Sequence, residues 1–104
     1  MEAITITAKF LGRNVKYLDY KIRYQLQWSN IKDLNGKSIA DYGYSLNSSS
    51  FRAVLPFLVV GDIYYIKTKK INIKKQAQIE FITEIRDPEF TFKYNNKTHS
   101  YEKL

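Results

Sequence analysis

Apolar and polar residues alternate one by one along most of this chain. Ile4, Ile6, Ala8 and Phe10 are interleaved with Thr5, Thr7 and Lys9, the period of a strand buried on one side. Gly12 permits a bulge or bend, after which Val15 to Tyr17 continues extended. Tyr20, Ile22, Tyr24, Leu26 and Trp28 alternate with Lys21, Arg23, Gln25 and Gln27, giving a second strand with an apolar face and a cationic, amide-bearing face. Asp33-Leu-Asn-Gly36 reads as a hairpin turn, because Asn-Gly supports positive φ. A third strand follows from Ser38 to Leu46, with Ala40, Tyr42 and Tyr44 on one side and Ile39, Asp41 and Gly43 on the other.

The period then changes. Asn47-Ser-Ser-Ser50 offers N-cap side chains, and Phe51, Val54, Leu55 and Leu58 have helical spacing. Pro56 within that span limits the expectation to one or two turns of helix or an irregular turn. Gly61-Asp62 ends it, and a fourth strand runs from Ile63 to about Ile73. Ile79, Phe81, Thr83 and Ile85 alternate until Asp87-Pro88, and Phe90, Phe92 and Tyr94 alternate again before Asn95-Asn-Lys97. Three strands, one short helical connection and two or three further strands predict an all-β fold, a small five- to six-stranded OB-fold-like barrel with one short helix between strands three and four. Residues 1–97 form a single domain on this reading, and 98–104 a flexible tail.

Composition bears on partners. The chain of 104 residues carries a net charge of +7, which favours a negatively charged partner, nucleic acid ahead of membrane. Lys, Ile, Asn and Tyr are abundant together, so part of that charge reflects an A+T-rich coding bias. Nine of the aromatic residues are tyrosines, equally able to pack in a core or to present a ring face. With no cysteine there is no disulfide scaffold, thiolate metal site or thiol nucleophile. Met1 to Thr7 lacks a basic and a hydrophobic signal region, and the longest apolar run, Ala53 to Val60, is too short to span a bilayer. An intracellular protein is expected, in the cytoplasm, or the nucleus if the source is eukaryotic, with no membrane partner.

Between Leu26 and Thr98 the chain resembles the DNA-binding OB domains of replication protein A large subunits. The resemblance is carried by Leu26 to Asp33-Leu-Asn-Gly36, Ile39-Ala-Asp-Tyr-Gly-Tyr44, Phe51 to Val60 and Ile63-Tyr-Tyr-Ile66, with Ile71 to Gln76 and Glu89 to Thr98 similar to later strands. It implies single-strand binding by an aromatic on the third strand, where Tyr42 or Tyr44 falls, with basic residues around the groove. The family also carries an aromatic in the loop joining strands four and five. There this sequence has Ala77, with Phe81 four residues later, and Ala77 to Asp87 reads as an inserted hairpin.

Lys67, Lys69, Lys70, Lys74 and Lys75 cluster with no acid between Asp62 and Glu80. Together with Lys21, Arg23, Tyr42 and Tyr44 they are the candidate binding residues: rings for bases, cations for phosphates. Arg23 stands out because a guanidinium both stacks on bases and pairs with phosphate. Each has a plainer alternative, since tyrosines also line barrel rims and lysines also solvate exposed strands. Trp28 continues an apolar face and reads as core, and Tyr64 and Tyr65 as barrel anchors. His99 is the sole histidine and lies in the expected tail; Glu80 and Glu84 read as outward solubilising charges; the glycines form no phosphate loop. The chain is therefore expected to be non-catalytic and to need no metal or cofactor. The expected function is single-stranded nucleic-acid binding, DNA ahead of RNA, alone or beside other OB-fold subunits. The alternative is a small OB-fold protein-interaction or assembly subunit, such as a virus encodes, without nucleic-acid binding of its own.

Overall fold

A computed structural model describes residues 3–18, 21–47 and 49–104, with side chains described at 3–14, 25–45 and 51–104. Seven strands follow in order: β1 (Ile4–Leu18), β2 (Lys21–Asp33), β3 (Ser38–Asn47), β4 (Ile63–Ile73), β5 (Ala77–Arg86), β6 (Thr91–Asn95) and β7 (Ser100–Lys103). Antiparallel pairing links β3, β2, β1, β4 and β5 in that order, and a parallel contact between β3 and β5 closes the ring. A five-stranded mixed barrel with its helical connection between the third and fourth strands is an OB-fold-like barrel. Strands β6 and β7 add a hairpin beyond β5.

Alternation places the core where the sequence put it along β1, β2 and β4. Ile6, Ala8, Phe10, Leu26, Trp28, Tyr64 and Ile66 all point inward and are buried. Trp28 lies 5.2 Å from the Phe10 ring and 6.3 Å from the Tyr64 ring, and its Nε1 donates to Ser45 Oγ at 3.0 Å. Tyr64 anchors the barrel: its hydroxyl accepts from the Val59 backbone N–H at 2.8 Å, tying the connection to β4. Tyr65 does not. It points outward, where the Arg86 guanidinium sits 4.6 Å from its ring centre.

Gly12, at φ 120°, takes the expected bend in β1, and the β1–β2 register shifts there. The turn after β2 is held by the Asp33 carboxylate, which accepts from the backbone N–H of Asn35 and Lys37, each at 2.9 Å. Gly36 alone supplies positive φ there, at 82°. The helical connection is two short 3-10 segments, Ser49–Ala53 and Leu55–Phe57, with Pro56 in the second. Phe51 and Val54 from this stretch are buried. The capping expected of residues 47–50 lies outside the described side chains.

Three further readings need correction. Ala77 to Arg86 is not an inserted hairpin but the closing strand of the barrel, with Ala77 buried against Gly43 at the seam. Within β5, Ile79 and Ile85 are buried as expected, but between them the buried residue is Ile82, while Phe81 is exposed and Thr83 half-buried, because a positive φ at Phe81 and a register shift at Thr83 break the period. Residues 98–104 are not a tail. They form the end of a turn and β7, whose Tyr101 is buried, stacks on Phe51 at 4.8 Å and donates its hydroxyl to the Ile82 carbonyl at 2.6 Å. Burial pushes the Tyr101 hydroxyl pKa well above its usual range.

Candidate nucleic-acid interface

Strand parity decides which tyrosines face solvent. Gly43 and Ser45 point into the barrel, so Tyr42 and Tyr44 point out; Tyr42 is 60% exposed and Tyr44 half-buried. Tyr44 is flanked by Gln27 on β2 and Gln78 on β5. The β4–β5 turn, Lys74-Lys-Gln76, folds against it, and the space between is an open groove of about 600 Å³ lined by Tyr44, Asn72, Lys74, Lys75, Gln76 and Gln78. One ring face, two ammonium groups and three amides line it, with no carboxylate among them. Such a lining suits a ligand with flat polar faces and negative charge.

The seam fixes this geometry. A Cβ on Gly43 would lie 2.6 Å from Ile31 Cδ1 and 2.7 Å from the Ala77 carbonyl oxygen. Only glycine therefore lets β3 approach β5 closely enough to set Tyr44 beside Gln78.

The structure brings together some of the sequence candidates and separates others. Tyr44, Lys74 and Lys75 share the groove. Tyr42 lies two residues along the same outer face, opposite Ser29. Lys67 and Lys69 are exposed on β4, across β5 from Tyr44. Lys67 lines a separate polar pocket of about 330 Å³ with Thr5, Tyr65, Glu84 and Arg86. Lys21 and Arg23 open β2, opposite Leu18 and Lys16 in a long β1–β2 hairpin; their side chains lie outside those described. Tyr24 pairs with Asn47 at the end of β3, so this arm rises beyond one side of Tyr44. The 74–76 turn enters from the other side, at Gly43 and Ala77. Along β3, Tyr44 thus stands between the paired backbone of the β1–β2 arm and the 74–76 turn.

Asn72, Gln76 and Gln78 were not singled out from sequence, because amides in a strand carry no pattern of their own. Glu80 lies on the outer face as expected, 3.7 Å from Lys70 Nζ and accepting from Asn72 Nδ2 at 3.0 Å. Glu84 lies 4.0 Å from Arg86 Nε. Among the described residues no three His, Cys, Asp or Glu side chains are grouped to hold a metal, and no helix is long and apolar enough to cross a membrane. A comparison with protein-family models finds no matching family, and comparisons with curated proteins and with solved structures find no significant match.

Proposed function

We propose that this OB-fold-like domain is a non-catalytic binder of single-stranded nucleic acid, DNA ahead of RNA. The observation that carries the reading is the carboxylate-free groove in which Tyr44 faces Lys74 and Lys75. A strand laid along β3 meets Lys74 and Lys75 at one end, Tyr44 in the middle, and the arm bearing Lys21 and Arg23 at the other. Stacking on Tyr44 supplies base affinity without base-edge readout, and Tyr42 extends the platform. Lys67 and Lys69, across β5, lie outside the groove itself and add electrostatic attraction that is screened by salt.

Fluorescence anisotropy of a labelled oligothymidylate, titrated at about 50 and about 200 mM salt, tests this. Tyr44→Ala is expected to weaken binding with the salt slope unchanged, by roughly 1–3 kcal/mol. Replacing Lys74 and Lys75 with alanine is expected to lower the slope by about 0.7 for each phosphate that is no longer neutralised. Absence of binding at the lower salt concentration would refute the proposal.

The assembly-subunit reading has one observation of its own. An apolar groove of about 390 Å³, lined by Phe10, Gly12, Arg13, Leu55, Pro56 and Val60, opens beside a 64% exposed Val60. Concentration-dependent mass in sedimentation, abolished by Val60→Asp, would favour it.

A further inference from the structure

Among the described residues, three other than glycine have positive φ: Asn30, Phe81 and His99. Asparagine and histidine enter that region readily; a bulky phenylalanine does not. Phe81, at φ 57°, is also 67% exposed. A side chain with a strained backbone and little burial is not explained by core packing.

The backbone around it is built to hold this conformation. Thr68, fully buried on β4, donates its hydroxyl to the Glu80 carbonyl. Tyr101 donates to the Ile82 carbonyl from the other side. Both carbonyls flanking Phe81 are thus fixed by buried hydroxyls. The barrel needs an irregularity here, because β5 pairs with β3 only over residues 77–79 and with β6 only over residues 84–86. It does not need a phenylalanine. Glycine or asparagine would meet the backbone demand at lower strain.

What the phenylalanine adds is an exposed ring in a basic setting. Between the pairs Thr68–Ile82 and Lys70–Glu80 it falls opposite Lys69, which is exposed. The nearest carboxylate in the chain, Glu80, is engaged by Lys70 and Asn72. Phe81 lies three residues along β5 from Gln78, the groove neighbour of Tyr44, or roughly 10 Å. It lies on the side of Tyr44 away from the 74–76 turn. We infer that Phe81 is a second base-stacking platform, with Lys69 as its phosphate contact, and that it takes a nucleotide about three stacked positions from the one on Tyr44. This rests on the proposed single-strand binding and extends its site across β5.

The test is an oligothymidylate length series from about 2 nucleotides, too short to bridge the two rings, to about 16, against wild type, Tyr44→Ala, Phe81→Ala and Phe81→Asn. Phe81→Ala is expected to match wild type on the shortest strand and to fall behind on longer ones by about five- to hundredfold. Phe81→Asn is expected to show the same loss with an equal or higher melting temperature, which separates binding from folding. Phe81 variants that track wild type at every length, while Tyr44→Ala weakens, would overturn the inference and leave the groove standing. So would a markedly lower melting temperature in Phe81→Asn, showing that the ring is kept for packing. Loss of self-association without loss of nucleotide binding would reassign Phe81 to contact with a second copy of the chain. No binding by wild type would sink both readings.

Discussion

Gly43→Ala is the substitution whose consequence follows most directly from the barrel seam. Gly43 does not have positive φ, so alanine meets no conformational penalty there. The only objection is space. The new Cβ would stand 2.6 Å from Ile31 Cδ1, 2.7 Å from the Ala77 oxygen and 3.0 Å from Ala77 Cβ. The Ile31 methyl can turn aside at the cost of a poor rotamer, but the Ala77 carbonyl belongs to the β5 backbone and moves only by opening the seam. Overpacking of this kind costs about 1–3 kcal/mol. Alanine recovers about 0.4–1 kcal/mol by restricting the unfolded chain. The net loss is about 1–2 kcal/mol, or a fall in Tm of roughly 4–16 °C for a chain of this size. Scanning calorimetry reads it. Ile31→Val deletes Cδ1, so the double variant is expected to lose less than the sum of the singles, whereas strict additivity would place the clash on the carbonyl alone. An unchanged or higher Tm in Gly43→Ala would refute the account of the seam, and with it the reason Tyr44 sits where it does.

Two further outcomes follow from buried polar groups. Ser45→Ala leaves the buried Trp28 Nε1–H without an acceptor and is expected to cost about 1–3 kcal/mol, seen as a lower urea midpoint at unchanged slope, with Trp28 emission as the probe. Tyr101 holds its proton more tightly when folded than its ordinary value of 10.0 implies, so its share of stability is complete below that pH and lost as pH rises above it. Tyr101→Phe is expected to be less stable at neutral pH, because Ile82 loses its donor, yet to show a flatter alkaline decline in Tm between about pH 9 and 11. Burial raises the Tyr64 pKa in the same direction, so some decline persists.

The barrel was legible wherever parity ran unbroken. In β4, Tyr64, Ile66 and Thr68 point in while Tyr65, Lys67 and Lys69 point out, and the second of two adjacent tyrosines was misassigned only because both were given one role. Parity failed in β5, where Ile79, Ile82 and Ile85 are buried at a spacing of three, which no regular strand has. An irregularity made by glycine, as at Gly12, announces itself in sequence; the positive φ at Phe81 does not. Strand β7 was invisible for a different reason. Its one inward residue is Tyr101, and a single apolar position has no period. In the candidate site, Tyr44, Lys74 and Lys75 were legible as residue types, but their meeting depends on the parallel β3–β5 contact, a pairing of segments more than thirty residues apart.

That contact makes β5 the strand on which folding and binding converge. Its first residues close the barrel against Gly43, its Gln78 flanks Tyr44, and its last residues pair with β6. A strand that changes partner along one edge leaves carbonyls uncovered at the changeover, and unsatisfied buried carbonyls are costly. Tyr101 covers one of them, so the β6–β7 hairpin does more than lengthen the sheet: it completes the wall that β3 leaves unfinished. Truncation before β7 should therefore loosen the irregular stretch around Ile82 first and the groove second, because the missing hydroxyl binds the Ile82 carbonyl and Gln78 lies four residues away. Amide exchange in a chain ending at residue 97 is expected to rise over residues 80–83 before it rises over 77–79. Uniform loss of protection along β5 would show instead that the hairpin holds the barrel as a whole.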